Sequence, residues 1–394
     1  MLTVAKKRRE ARLPGFWPAG LHPQVLDELG HKTPYLICDL RTLRDRYTRL
    51  TSAFPGIRMF YAVKCNPSAE VLSVLAEAGA SFEVASLYEL DMLLRVGVDP
   101  RDVLYSNTVK PSSHVAGAFE RGLWRFAVDS EGEMYKIARH APGASVYLRL
   151  RVDDSHSRFP LSRKFGTEAA EAVRLMLLAK ELRLQPYGLT FHVGSQSTDP
   201  GAWSRAIVAA GDVMRSLATY DITIDMLDLG GGVPARYGED VPILQDIAGA
   251  VNRTVQSALP YQPRLLSMEP GRAIVGEAAV MVATVLAREV RAGSDWLYLD
   301  VGAYNGLMET QQLKGWRYPL WTSRSFSSTA PLIPYTVTGP TCDSADTMFF
   351  DIALPGDMAI DDKVYIGSAG AYTLSYASSF NGFPPPEQLF IGLD

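Results

Sequence analysis

The segment Phe60-Tyr-Ala-Val-Lys64-Cys-Asn-Pro67 sets a lysine in an apolar, strand-like run and follows it at once with a polar turn. Lysine is rarely buried without a partner. Desolvation lowers its pKa and leaves a nucleophilic amine, the group that forms a Schiff base with a carbonyl. A lysine that merely snorkels to water from a strand end is the plain alternative, and the accompanying segments decide. His192-Val-Gly194-Ser195-Gln196 follows an apolar run ending at Phe191. A histidine so placed is either a packed core residue or a ring turned toward a ligand. Asp228-Leu-Gly230-Gly231-Gly232 brings three glycines whose N–H groups can approach an anion closely, although a glycine triplet by itself is usually a turn. Glu269-Pro-Gly271-Arg272 sets an acid beside a base, as a surface ion pair also would. Together they supply an imine-forming lysine, a phosphate cradle, an arginine for that phosphate, an acid and an aromatic ring. A phosphorylated pyridine aldehyde requires that set, with the acid at its ring nitrogen.

Such groups meet only if strand ends gather them on one face. Apolar strand patterns at 34–38, 58–63, 81–84, 103–105, 125–128, 145–151, 186–193, 226–229 and 265–269 alternate with helical patterns. Alternation over more than 200 residues implies parallel strands with βαβ crossovers, and eight or nine strands favour a closed (β/α)8 TIM-like barrel over an open sheet. The motifs then fall at the C-terminal ends of strands, where barrel sites are built. After Arg272 the texture changes. Residues 274–290 read as a long Val/Ala-rich strand, and 296–394 as strands broken by Gly and Pro with little helix. The expected organisation is an α/β barrel over 35–275 and a β-rich domain from 276–394, with 1–34 packing beside it.

A chain of 394 residues with 47% hydrophobic and 21% charged residues is ordinary globular protein. Its net charge of −4 gives no reason to expect nucleic acid as a partner. The basic run at 6–9, with Arg12, is interrupted by Glu10 and reads as a solvated tail. No apolar run approaches a membrane span, and early prolines rule out a signal-peptide pattern. Three cysteines, Cys38, Cys65 and Cys342, argue against a disulfide framework and for a reducing cytoplasm.

The chain resembles the barrel-type (fold type III) pyridoxal-phosphate decarboxylases of ornithine, lysine, arginine and diaminopimelate, most of all the bacterial ornithine/lysine enzymes. The resemblance runs in order through 60–67, Phe82-Glu83-Val-Ala-Ser86, 192–196, 228–234 and 269–272. It continues through Asp300-Val-Gly302, Gly339-Pro-Thr-Cys342-Asp343-Ser-Ala-Asp346, Gly370-Ala-Tyr372-Thr373 and Phe380-Asn-Gly-Phe383. It implies pyridoxal 5′-phosphate on Lys64, with His192 stacked on the ring and Glu269 paired with the pyridine nitrogen. It assigns the phosphate to Ser195, Gly231, Gly232, Arg272 and Tyr372, counts Gly271 among the cofactor-binding residues, and lines the cofactor with Arg149 and with Glu83, where many relatives carry aspartate. In a head-to-tail homodimer, Cys342 and Asp343 would enter the partner's site, Cys342 as proton donor and Asp343 facing the substrate's distal amine, with Phe380 at the substrate. Lys164 and Asp346 are the types that pair across that interface.

The implied reaction is decarboxylation of ornithine or lysine to putrescine or cadaverine. Asp343 disfavours diaminopimelate, whose decarboxylases carry glutamate after this cysteine. One departure stands out: relatives read Glu-Thr-x-Asp where this chain reads Glu309-Thr-Gln-Gln312. Either Asp343 and Glu309 suffice for a diamine-type substrate, or the distal group is a modified nitrogen that an amide reads better. A non-catalytic regulator on the same fold is the competing class, and retention of Lys64 and Cys342 argues against it. A racemase on the same barrel is disfavoured by the Cys342-Asp343 pair.

Overall fold

The computed structural model describes residues 13–392, so the basic run at 6–9 and Arg12 lie outside the described residues. The chain forms two compact units, one of Leu43–Ala235 with Asp240–Ile274 and one of Met1–Thr42, Arg236–Glu239 and Val275–Asp394.

The chain's first strand, β1 (Tyr35–Asp39), belongs to the second unit. The first unit is a closed barrel of eight parallel strands. They are β2 (Arg58–Ala62), β3 (Ser81–Val84), β4 (Val103–Tyr105), β5 (Arg125–Val128), β6 (Ser145–Arg149), β8 (Gln185–Thr190), β10 (Met226–Asp228) and β11 (Leu265–Met268). Between them β7 (Ser157–Phe159) and β9 (Ser195–Ser197) make a small antiparallel ladder. Closure is by Ser267 of β11 opposite Arg58 of β2. Helices cover the outside, so β3, β4, β5 and β10 are buried at every position and cannot alternate apolar with polar. Inside the barrel, Phe60, Leu104, Ala127, Tyr147 and Met226 pack as one cluster. Each helix starts at a strand's C-terminal loop, and two are capped there by serine, Ser86 accepting from Glu89 N–H and Ser130 from Glu133 N–H.

The alternating pattern had put the strand at 34–38 at the head of the barrel series. Observed as β1, it pairs antiparallel with β12 (Ala279–Arg291) and parallel with β18 (Glu387–Ile391) instead. All five of its residues are buried, which suits the middle of any sheet, so pattern alone could not assign it. The sheet continues with β13 (Ser294–Leu299), β14 (Leu320–Thr322), β15 (Leu332–Thr338), β16 (Thr347–Pro355) and β17 (Lys363–Ile366), in the order β14-β17-β12-β13-β15-β16. Strand β12 starts later than the Val/Ala run suggested, because Arg272–Val275 and Gly276–Ala278 first make helical turns. Trp17, Leu21 and Leu26 pack on Tyr35, Ile37, Val280, Val282 and Tyr365, so the described part of the N-terminal segment is built into this sheet's core. No helix among the described residues is long and apolar enough to cross a membrane.

Candidate active site

Seven of the eight barrel strands deliver a polar side chain at or just past their C-terminal ends. Lys64 follows β2 in a short helical turn, Glu83 is the penultimate residue of β3, Ser106 follows β4, and Arg149 ends β6. His192 follows β8, Asp228 ends β10, and Glu269 follows β11. Lys64 Nζ donates to the Glu83 carboxylate, the lysine side chain being 40% exposed and the glutamate 2%. Burial works against the lysine's charge, but Glu83 and then Glu269 outweigh it and hold its pKa above the ordinary value. The expectation of a depressed lysine is therefore corrected: with two carboxylates in reach, charge pairing beats desolvation.

Burial raises the Glu269 carboxyl well above the usual range, and Asp228 and Glu83 raise it further, against Lys64 and a hydrogen bond from Ser106. Asp228 is raised for the same first reason, although Thr190 Oγ1 at 2.5 Å and Ser267 Oγ at 2.9 Å both donate to it. Glu89, which accepts from Ala85 N–H at 2.6 Å, is pushed up to about 7 by burial and by Glu83. His192 moves the other way: burial, Arg149 and Lys64 hold its pKa well below 6.5, so its ring is neutral at neutral pH. Its Nδ1 accepts from Gly194 N–H at 3.0 Å, which leaves the proton on Nε2 and fixes the ring plane. Burial lowers the Arg149 pKa, and its guanidinium lies 5.0 Å from the Phe165 ring centre.

The glycines are needed for space. A Cβ on Gly230 (φ +63°) would sit 2.0 Å from Phe191 O, and one on Gly232 (φ +105°) 2.6 Å from Gly194 O. On Gly231 it would meet Glu269 O at 2.8 Å and His192 Nε2 at 2.9 Å. Gly271 lets its turn pack on Cys65, whose Sγ would be 2.0 Å from a Cβ there. Arg272 is buried, donates from Nε to Ser195 Oγ at 3.3 Å, and lies 5.2 Å from the Phe159 ring centre. A close-approach glycine turn, a buried arginine, a neutral histidine ring, a buried acid and a lysine in one barrel mouth suit a phosphorylated pyridine aldehyde. The residues present fit the group.

The remaining expected residues lie in the other unit. Tyr304 Oη donates to Asp343 at 2.7 Å, and its ring lies 4.8 Å from that of Phe380. Ala345 N–H and the Tyr304 hydroxyl hold Asp343 below the usual carboxylate pKa. Cys342 is exposed, and its N–H at 3.1 Å and its Sγ at 3.3 Å both address Asn381 Oδ1. Tyr372 stacks on Tyr376, with φ +57°. Glu309 is buried and accepts from Tyr318 Oη at 3.4 Å, while Gln312 ends the short helix Glu309–Gln312 with an exposed side chain. Asp346 is fully buried, accepting from Ala303 N–H at 2.7 Å and from Thr341 N–H and Oγ1 at 3.1 and 2.8 Å. Lys164 Nζ lies 5.0 Å from the Phe165 ring centre.

Sequence reasoning missed Ser106, Thr190 and Ser267, the hydroxyls that donate to the buried acids, and Tyr147 behind Ser106, together with Tyr304 and Asn381. It also read Asp228 only as the start of a glycine turn. A signal was present: a small polar residue closing an otherwise apolar strand, as in Tyr105-Ser106-Asn107, has to satisfy its hydroxyl locally.

The sequence matches the family described as pyridoxal-dependent decarboxylase, pyridoxal binding domain, over residues 40–276. It is 32% identical to the lysine/ornithine decarboxylase of Selenomonas ruminantium over 89% of this chain and 88% of that one. It is also 32% identical to antizyme inhibitor 2 of Xenopus laevis, over 94% of this chain and 84% of that one. Among solved structures, the arginine decarboxylase of Paramecium bursaria Chlorella virus bound to agmatine superposes with a TM-score of 0.88 at 28% identity, covering 94% of this chain and 100% of that one. With the family match running through every barrel strand and these likenesses spanning the second unit as well, the chain belongs to the pyridoxal-dependent decarboxylases, and pyridoxal phosphate is its cofactor.

Proposed function

We propose that the protein decarboxylates a basic L-amino acid, ornithine or lysine, to the corresponding diamine and CO2. The observation that carries this reading is the pairing of Lys64 with Glu83 in a barrel mouth that also holds Glu269 and the Gly230–Gly232 turn. When bound, the cofactor serves as the electron sink for the pair left on the α-carbon as CO2 departs.

This chain's own groups do the rest. The Lys64 ammonium must lose a proton before its nitrogen can attack, and the Glu83 carboxylate is the acceptor in contact with it. Glu269 pairs with the ring nitrogen and favours its protonated form, which keeps the ring electron-poor. His192, neutral and fixed by Gly194, offers an uncharged face for stacking. Arg272, Ser195, Gly231, Gly232 and Tyr372 take the phosphate, and Arg149 lines the cofactor site. The ionised Asp343 meets the distal ammonium, beside Phe380. The Cys342 thiol returns a proton to the α-carbon. In this reading Cys342, Asp343 and Phe380 act in the site of a partner subunit, so the working unit is a homodimer.

A second reading rests on Gln312. An amide offers both a donor and an acceptor, which suits a hydroxylated, acylated or carbamoylated distal nitrogen. The likeness to an antizyme inhibitor raises a regulatory role, against which stand the intact Lys64, Glu269 and Cys342. The test is amine-product analysis over a panel of L-amino acids and distally modified analogues. Diamine from ornithine or lysine supports the first reading, turnover of modified analogues alone supports the second, and no turnover at all supports the regulator.

A further inference from the structure

Behind the acid expected at the ring nitrogen lies a chain of hydroxyls that no part of the assigned site accounts for. Ser106 Oγ donates to Glu269 Oε1 and lies 2.8 Å from Tyr147 Oη. Tyr147 is fully buried in the barrel cluster, so its hydroxyl has no water to turn to and finds Ser106. Because the serine proton is committed to the carboxylate, the tyrosine is the donor in the second bond, and both dipoles run Tyr147 to Ser106 to Glu269. The serine is itself held in place. Its N–H continues the ladder to Val84 O at 3.0 Å, and Asn107 Nδ2 bonds Ala85 O at 3.3 Å. The buried Lys110 Nζ ties Asn107 O at 2.9 Å and Ala127 O at 2.6 Å while pairing with Glu133 at 2.9 Å. A loop fixed at so many points delivers one hydroxyl to one carboxylate oxygen.

Glu269 needs such a donor. Asp228 from β10 and Glu83 from β3 face it with like charge, and Lys64 after β2 and Arg149 at the end of β6 oppose them. We propose that Ser106 and Tyr147 are positioning residues for Glu269, a two-hydroxyl relay that holds Oε1 and orients the carboxylate so that Oε2 meets the cofactor's ring nitrogen. A hydrogen bond to a carboxylate is strongest when the carboxylate is charged, so the relay favours the ion against the two neighbouring acids. Tyr147 polarises Ser106 and acts on Glu269 only through it.

The inference rests on the reading of Glu269 as partner of the ring nitrogen, and the experiment separates the two. Wild type, Ser106→Ala, Ser106→Thr, Tyr147→Phe, the Ser106→Ala/Tyr147→Phe pair and Glu269→Gln are each loaded with pyridoxal phosphate. The visible absorption band is titrated against pH, and cofactor affinity is measured on the apoproteins. Ser106→Ala should weaken cofactor binding about tenfold, as expected for loss of one hydrogen bond to a charged group, and shift the midpoint of the band. Tyr147→Phe should shift it the same way by less, the pair should match Ser106→Ala alone, and Ser106→Thr should restore wild-type behaviour. A merely packing role for either residue gives independent losses and no shift of the midpoint. A Ser106→Ala protein that titrates and binds as wild type while Glu269→Gln does not overturns the relay. Wild-type behaviour from Glu269→Gln overturns the ring-nitrogen reading instead.

Discussion

At the residue scale, the site is governed by acids that crowd one lysine. Glu83, Asp228 and Glu269 are all buried, and the single ammonium of Lys64 is shared between Glu83 by contact and Glu269 through space. Pyridoxal phosphate is therefore expected on Lys64 alone: borohydride reduction followed by peptide mapping should place the adduct there, and an adduct on any other lysine would overturn the assignment. Glu89 adds a pH dependence. Its pKa is raised to about 7 in the folded protein, so the folded state holds a proton that the unfolded chain gives up near 4.5. That contribution is fully present below about 4.5 and is lost as pH rises to about 7, because the folded protein must then charge a buried carboxyl. Glu89→Gln keeps an acceptor for Ala85 N–H and should flatten the fall of melting temperature across that window; an unchanged slope would remove Glu89 as its source. The residue types at the strand ends were legible in the sequence, since Lys64, His192 and Glu269 break apolar runs. Ser106 showed only that its hydroxyl needs a local partner, without naming Glu269, and Tyr147 showed nothing, because a tyrosine within a strand looks the same whether or not its hydroxyl meets a serine.

At the element scale, the strand-to-helix loops carry the chemistry, and the glycines among them decide how closely backbone can approach. Gly232→Ala combines a left-handed backbone, costing roughly 1–2 kcal/mol for a residue with a Cβ, with a Cβ placed 2.6 Å from Gly194 O. It is expected to lower the melting temperature and to weaken cofactor binding by about tenfold or more; a variant that binds pyridoxal phosphate as wild type would show that this turn does not cradle the phosphate. The short helix Glu309–Gln312 carries the departure from the Glu-Thr-x-Asp pattern. Gln312→Asp should lower KM for ornithine or lysine by about tenfold or more if that side chain faces the distal ammonium, since adding a charged partner to such a group is worth a few kcal/mol. An unchanged KM would place Gln312 away from the substrate. The periodicity of the barrel elements was readable because the βα alternation repeats. The fate of β1 was not, because a wholly buried five-residue strand fits a barrel stave and a sheet interior equally well.

At the scale of the whole molecule, the chain divides its expected functional groups between two units, the cofactor residues other than Tyr372 on the barrel, and Tyr372 with Cys342, Asp343 and Phe380 in the sheet unit. The proposed homodimer gives this division a purpose, and subunit mixing tests it. Inactive Lys64→Ala and inactive Cys342→Ala proteins, combined under conditions that exchange subunits, should regain activity through one repaired site per heterodimer. Subunits that exchange and stay inactive would contradict shared sites. The motif order exposed this division early, since the segment at 339–346 follows the change in texture after Arg272. What joins the sheet-unit residues to one another, Tyr304 to Asp343 and Asn381 to Cys342, spans 39 residues in each case and could be seen only in the folded chain.

The central claim is that this barrel removes the carboxyl group of a basic amino acid through Lys64. Its most direct test supplies the purified protein, loaded with pyridoxal phosphate, with carboxyl-labelled L-ornithine and L-lysine in turn, and measures CO2 release together with the amine formed. The account predicts labelled CO2 and the matching diamine in equal amounts from at least one of them, and none from Lys64→Ala. A cofactor-loaded protein that releases no CO2 from either substrate, or a Lys64→Ala protein that releases as much as wild type, would contradict it.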